Sequence, residues 1–182
     1  MRLFTAISIP VSIQEEIGNI CYGIPNARWV KKEQLHITLC FIGEMEQHQL
    51  PSLTEVLSDV SFKSFNLNLK GIGQFLTAKD LNTIWLGVKD SDELTELQSR
   101  VSKKLKSIGI NPDKKKYSPH VTLARIKKAT GGRIREYMEE FSQFQTEIFP
   151  VHSFNLFSSS LYPGGPVHTL EKEFFFQSNN RS

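Results

Sequence analysis

Two tetrapeptides of the form His-x-Thr-x constrain this chain more than any other feature of its sequence. They occupy His36–Leu39 and His120–Leu123, and each lies in an apolar run that is typical of a β-strand. Because residues i and i+2 of a strand point to the same face, each motif presents one imidazole and one hydroxyl on one side. On the opposite side of the first strand, alternation directs four apolar side chains into a core, those of Leu35, Ile37, Leu39 and Phe41.

The paired motifs supply the groups needed for phosphate chemistry without a metal. Histidine gives and takes protons near neutral pH, because its ordinary pKa is ~6.5. Two imidazoles that face one cavity can therefore act as an acid and a base. The hydroxyls of Thr38 and Thr122 would donate hydrogen bonds to non-bridging phosphate oxygens. We predict that His36 and His120 are catalytic and that the two threonines bind the substrate.

Two other interpretations of the histidines stay open at this point. A single histidine in a strand is usually a hydrogen-bonded structural residue, although two matched motifs favour a shared function. A metal site is the main chemical alternative, but zinc sites use three or four ligands, and the other histidines are scattered along the chain. We expect neither a metal nor a cofactor. Cys40 lies on the His36 face by alternation, yet cysteine is most often a small buried hydrophobic residue.

Composition indicates one folded unit. The chain has 182 residues, of which 39% are hydrophobic. No apolar run approaches the ~18 residues that span a membrane, and the N-terminus lacks the pattern of a signal peptide. The two cysteines, Cys21 and Cys40, indicate a reducing, cytoplasmic setting. We expect a monomer without membrane association.

The charge is weak evidence for a polyanionic partner. The net charge is +3, with lysines before the second motif and basic residues after it, at Lys114–Lys116, Arg125, Lys127 and Lys128. A solvated surface explains such residues equally well.

The order of predicted elements is typical of an α+β fold with antiparallel sheets and helices outside. Alternation predicts strands over 2–9, 35–42, 65–71, 83–88, 120–126, 144–157 and 167–176, and helical spacing predicts helices over 11–21, 46–60, 92–107 and 130–141. Each motif strand is followed by a helix. We therefore expect residues 1–182 to form a single domain of two lobes, each carrying one motif, across a central cleft.

The motifs and their flanking residues resemble the 2H phosphoesterase superfamily. Within it the chain is most similar to the RNA 2′,3′-cyclic phosphodiesterases, historically called 2′-5′ RNA ligases. The similar segments, which extend over nearly the whole chain, are Met1–Ile7, Arg28–Val30, His36–Leu39, Phe41–Gly43, Ile84–Gly87 and Pro119–Arg125.

The resemblance implies a pseudo-symmetric two-lobed fold that hydrolyses a ribose 2′,3′-cyclic phosphate to a 2′-phosphate. It implies that His36 protonates the leaving 3′ oxygen and that His120 activates water. Thr38 and Thr122 would hold phosphate oxygens, with Arg125 assisting. Strict alternation, however, turns Arg125 away from His120. The expected substrates are RNA ends and small cyclic nucleotides.

The sequence departs from the family pattern at two positions. Asn82 stands near a frequent arginine, and His168 near a frequent tyrosine, which affects substrate positioning more than the chemistry. The alternatives are hydrolysis of ADP-ribose 1″,2″-cyclic phosphate, formation of 2′-5′ RNA linkages, or an RNA-end binding module without turnover.

Overall fold

The computed structural model describes residues 1–76, 81–112, 116–127, 131–163 and 165–176. Within them the strands are β1 (Arg2–Ser8), β2 (Ala27–Trp29), β3 (His36–Glu44), β4 (Phe65–Leu67), β5 (Leu69–Leu76), β6 (Leu81–Val88), β7 (His120–Lys127), β8 (Phe149–Val151), β9 (Ser153–Tyr162) and β10 (Gly165–Phe175). The α-helices are α1 (Val11–Gly18), α2 (Leu50–Ser58), α3 (Asp92–Ser107) and α4 (Gly131–Glu140), and short 3₁₀ turns cover Lys32–Gln34 and Gln47–Gln49.

The two motif strands lie side by side at the centre of an antiparallel sheet. The strand order is β10-β9-β1-β3-β7-β6-β5, and β2 pairs with β7 beyond the short contact between β3 and β7. That contact is a single register pair, Ile37 opposite Val121. Because these are the residues that follow the two histidines, both histidines come to the middle of the sheet. A separate two-stranded sheet joins β4 to β8.

Each motif strand has an irregularity in its pairing directly after the motif threonine. In β3, Thr38 pairs with Ala6 and Cys40 pairs with Thr5, so the register shifts at Leu39. In β7, Thr122 pairs with Trp85 and Ala124 pairs with Ile84, so the register shifts at Leu123. An extra residue on one strand is a β-bulge, which resets which residues face each side. The two halves of the sheet therefore share a local deviation as well as a motif.

The helices pack in two pairs against the side of the sheet that carries the core. Lys104 of α3 forms an ion pair with Asp59 just after α2, at 3.0 Å. The second pair is α1 and α4. The Tyr137 hydroxyl of α4 donates a 2.6 Å hydrogen bond to the carbonyl of Ile20, just after α1. The inward positions of the sheet and the helices form one buried apolar cluster. The opposite face of the sheet is consequently free for the motif side chains.

The predicted α+β class with antiparallel sheets is confirmed. A strand or helix lies in every predicted range, but several bounds differ. The predicted strand at 65–71 is two elements, β4 and β5, and the extended segment at 144–157 contains β8 and the start of β9. The predicted helix at 46–60 begins later, at Leu50, after a 3₁₀ turn. Lys114, Lys115, Lys128 and Thr130 lie outside the described residues.

None of the helices in the described ranges is both long enough and apolar enough to cross a membrane.

Gly73 of β5 gives room for the indole of Trp85, which lies across from it. A Cβ added at Gly73 would lie 2.6 Å from Cε2 of that indole and closer still to two other ring atoms. We predict that Gly73→Ala lowers the free energy of unfolding by about 1–3 kcal/mol, the usual cost of overpacking. Urea denaturation followed by circular dichroism measures it.

Gly132→Ala is the matched control, because a Cβ at Gly132 in α4 meets nothing within 4 Å. Alanine also favours a helix over glycine by up to about 1 kcal/mol, so this variant should be as stable as the wild type or more stable. Equal stability of Gly73→Ala and the wild type would contradict the placement of the indole.

Candidate active site

The two motif histidines are held in the same way. Nδ1 of His36 lies 2.7 Å from the carbonyl oxygen of Gln34, and Nδ1 of His120 lies 2.8 Å from that of Ser118. A carbonyl oxygen only accepts hydrogen bonds, so Nδ1 must be the donor in each ring. Each Nε2 is then left to accept a proton or, in the charged ring, to donate one. The matched bonds thus fix the same tautomer and orientation for both imidazoles.

His36 is strongly biased towards its neutral form. Burial is the main reason that the pKa of His36 is lowered from 6.5 to about 4. The hydrogen bond to Gln34 opposes this shift, while the positive charges of His168, Arg125 and His120 add to it. The imidazole is therefore neutral in the unbound protein near pH 7. A bound anion would favour its protonated form.

Phe4 and His168 enclose the His36 ring. The centroid of Phe4 lies 5.1 Å from that of His36, and the His168 ring meets His36 edge-on at 5.2 Å with an interplanar angle of 89°. Phe157 of β9 completes the surroundings at 6.4 Å. These aromatic rings remove the His36 imidazole from water, and this burial keeps the ring neutral.

His168 itself brings a third imidazole to the site. Burial, and then the charge of Arg125, lower its pKa. Its Nδ1 is buried without a hydrogen-bond partner among the described residues. His168 thus lies next to one of the two motif histidines.

The surroundings of His120 are also aromatic but more open. The ring centroid of Phe75 in β5 lies 5.0 Å from that of His120, with the two rings edge-on. The ring of Trp85 in β6 lies 6.0 Å from His120. Phe75 is 39% exposed, so part of its ring faces solvent. Both halves of the site therefore combine a histidine with aromatic surface.

The two motif threonines lie on the faces predicted for them. Thr38 and Thr122 are half-buried, whereas Ile37 and Val121 between them and the histidines are fully buried. The Tyr117 hydroxyl donates a 3.1 Å hydrogen bond to the carbonyl of Thr38, which ties the loop before β7 to β3. The structure thus brings each threonine to the same face as its histidine.

The β-bulges correct three expectations that rested on strict alternation. Cys40 is buried, with its Sγ 3.6 Å from Nε2 of Gln98 in α3, so it lies on the core side and not on the His36 face. Phe41 is 57% exposed and does not enter the core. In β7 the same shift buries Ala124 and exposes Arg125. The face of Arg125 was therefore predicted wrongly: the extra residue returns it to the side of the histidines, where its charge acts on His36.

Several side chains of the site gave little signal in the sequence. Phe4, Phe75 and Phe157 come from three different strands and meet the histidines only through the sheet order. The residues of β1 from Leu3 to Ile7 are all buried, so local alternation could not have placed Phe4 on a face. Asn82, by contrast, is buried across from Ile126 on the core side, so it lies away from the site.

In the described part of the chain, no group of three or more His, Cys, Asp or Glu side chains is placed to bind a metal ion.

Comparisons with known proteins identify relatives along most of the chain. The sequence model of the 2′-5′ RNA ligase superfamily matches residues 9–162. A protein of Archaeoglobus fulgidus named RNA 2′,3′-cyclic phosphodiesterase is 34% identical over 171 residues, which cover 92% of this chain and 96% of the relative. One of the same name from Methanocaldococcus jannaschii is 32% identical over 177 residues, covering 96% and 100%.

Solved structures share the fold over nearly the full length. A crystal structure of a phosphoesterase has a TM-score of 0.78 and 25% identity, covering 97% of this chain and 99% of the other. LigT of Escherichia coli in its apo form has a TM-score of 0.79 and 24% identity, covering 97% and 98%.

The bias of His36 towards its neutral form is measurable by NMR. We predict that its imidazole titrates with a pKa of about 4 and carries its proton on Nδ1 when neutral. Arg125→Gln should raise this pKa because a nearby positive charge is lost, and inorganic phosphate should raise it because a bound anion favours the imidazolium.

The control is Arg135→Gln, which removes one charge from the exposed side of α4. It should leave the titration of His36 unchanged. An imidazole of His36 that titrates near pH 6.5 in the unbound protein would show that the ring is not desolvated as described.

Proposed function

The chain belongs to the 2′-5′ RNA ligase superfamily, and we propose that it hydrolyses the 2′,3′-cyclic phosphodiester at RNA ends, and of small nucleotides, to a 2′-phosphomonoester. The observation that carries the proposal is the pair of imidazoles at the centre of the sheet. Their matched hydrogen bonds to Gln34 and Ser118 leave both Nε2 atoms for proton transfer. The relatives of the same length support the substrate class.

The reaction needs one proton acceptor and one proton donor. Nε2 of His120 takes a proton from water as the water oxygen forms a bond to phosphorus. The bond from phosphorus to the 3′ oxygen breaks, and Nε2 of His36 gives its proton to that oxygen. The 2′ oxygen keeps the phosphate, so the product is a 2′-phosphomonoester with a free 3′ hydroxyl. Each histidine ends in the opposite protonation state, and solvent restores both.

The low pKa of His36 makes substrate binding part of this mechanism. The unbound ring is neutral near pH 7, but the acid role requires the imidazolium. A cyclic phosphodiester carries a negative charge, which raises the pKa of an adjacent histidine. The rate should fall at the pH where His36 loses its proton. This fall should lie at lower pH in the profile of kcat/KM, which reports the free enzyme, than in the profile of kcat, which reports the substrate complex.

The remaining side chains of the site would bind the substrate. The hydroxyls of Thr38 and Thr122, on the same face as the histidines, donate to the non-bridging oxygens. The guanidinium of Arg125 adds a positive charge, which stabilises the charge that grows on those oxygens in the transition state. Phe41 and Phe75 offer exposed ring surface on which a nucleobase can stack.

We further propose that the two halves of the sheet act as two lobes of one domain. Their link through the single pair Ile37 and Val121 supports this arrangement. A reducing, cytoplasmic location is also part of the proposal. It is supported by Cys21 and Cys40, which are both free thiols.

His36→Ala and His120→Ala should each lower the turnover of an RNA oligonucleotide with a 2′,3′-cyclic phosphate end by at least ~10², the usual contribution of a positioned acid or base. Initial rates are measured by separating the cyclic substrate from the 2′-phosphate product. One imidazole cannot replace the other, because each acts on a different oxygen.

His48→Ala is the matched control, since His48 is exposed on the 3₁₀ turn at Gln47–Gln49. Its turnover should equal that of the wild type. If a folded His36 or His120 variant keeps a rate within about threefold of the wild type, that residue transfers no proton in the limiting step.

A further inference from the structure

Two arginines lie directly opposite each other on the face of the sheet that carries the histidines. Arg28 of β2 is the register partner of Arg125 of β7. The neighbours of Arg28 in β2, Ala27 and Trp29, face the core, and the Trp29 ring lies 5.8 Å from that of Tyr137 in α4. Arg28, between them and exposed, must therefore point to the other face, beside Arg125.

Arg28 and Arg125 begin a strip of positive side chains, here called the positive strip, which continues along β7 to Lys127. Lys127 is exposed and lies two residues beyond Arg125, with buried Ile126 between them. Residues i and i+2 of a strand share a face, so Lys127 extends the strip away from the histidines. The strip thus begins at the catalytic pair and runs outward.

No described carboxylate lies within 4.0 Å of the charged groups in this strip. Paired residues on neighbouring strands have Cβ atoms about 4.5–5.5 Å apart, and like charges placed directly opposite destabilise a sheet. Folding alone therefore gives no reason for two guanidinium groups at this register position. An anion bound between them would offset their repulsion.

The reacting phosphate does not account for both arginines. The charge of Arg125 acts on His36 and His168, which places its guanidinium towards the catalytic pair, whereas no such effect of Arg28 is found. Arg28 is the register partner of Arg125 but acts on neither ring, so an anion that it binds is a second group next to the first.

We propose that Arg28, together with Arg125, binds the phosphodiester that lies 5′ to the terminal nucleoside of an RNA substrate. This inference rests on the proposed function. An RNA end with a 2′,3′-cyclic phosphate has an adjacent phosphodiester only on its 5′ side, so the assignment is specific. The strip then makes this protein an enzyme for oligonucleotides that discriminates against cyclic mononucleotides. Lys127 would face the next phosphodiester in the 5′ direction.

The test compares two cyclic substrates, cytidine 2′,3′-cyclic phosphate and a cytidine dinucleotide that ends in the same group. The wild type should show a higher kcat/KM for the dinucleotide. Arg28→Gln should lower the ratio of the two kcat/KM values by about fivefold or more, since charge-assisted contacts of this kind contribute substantially to binding. Arg135→Gln, which removes one charge from α4 behind the sheet, should leave the ratio unchanged.

A binding measurement decides the assignment independently of turnover. Calorimetry compares the 2′-phosphorylated dinucleotide with the 2′-phosphorylated mononucleotide. Arg28→Gln should weaken binding of the dinucleotide selectively, and the affinity that remains should depend less on salt because one charge contact is lost. Its thermal stability should not fall, because a like-charge pair is removed.

The outcomes separate the two proposals. If neither cyclic substrate is turned over, the proposed function fails, and the calorimetric ratio still tests Arg28. If the wild type does not favour the dinucleotide, or if Arg28→Gln and Arg135→Gln behave alike, Arg28 binds no RNA phosphate and the inference is wrong.

Discussion

The contact between β3 and β7 at Ile37 and Val121 is the constraint on which the site depends. These two residues pair in the middle of the sheet, and each immediately follows a motif histidine. Both are fully buried, so their histidines must face the opposite side. The hydrogen bonds to Gln34 and Ser118 then fix the rings through Nδ1. The matched orientation of two imidazoles, which the proposed acid and base require, follows from one strand pair and two backbone carbonyls.

The β-bulges make the two halves similar in backbone and different in chemistry. The residue five positions after each histidine is returned to the site face by the extra residue at Leu39 or Leu123. At this position the first half has Phe41 and the second half has Arg125. The first half therefore carries no charge at this position, and Arg125 makes the second half cationic. The low pKa of His36 comes mainly from its burial. The symmetric backbone thus supports an asymmetric reaction.

Much of the fold could be predicted from periodicity. Buried residues alternate with more exposed ones in β3 and β7 as far as each bulge, and they recur at helical spacing in α3. Local patterns also placed His36, Thr38, His120 and Thr122 on their faces. They failed from the second residue after each threonine. A bulge depends on how a neighbouring strand pairs, so alternation within β3 or β7 could not indicate that Cys40 is buried or that Phe41 and Arg125 face the site.

The partners of each histidine were beyond local patterns for a similar reason. Phe157 and His168 reach His36 because β9 and β10 pair next to β1, which is a contact between the two ends of the chain. Arg28 lies opposite Arg125 only because β2 pairs with β7. Such contacts follow from strand order, which the sequence of any single strand does not contain.

We propose that the two imidazoles, without a metal ion, open a 2′,3′-cyclic phosphate by adding water to phosphorus. The most direct measurement is hydrolysis of a cyclic-phosphate oligonucleotide in ¹⁸O-labelled water after exhaustive chelation, with the product analysed by mass spectrometry. The expected product is a 2′-phosphomonoester with one ¹⁸O atom on phosphorus. A 3′-phosphate product, or activity that is lost on chelation and restored by a divalent metal, would contradict it.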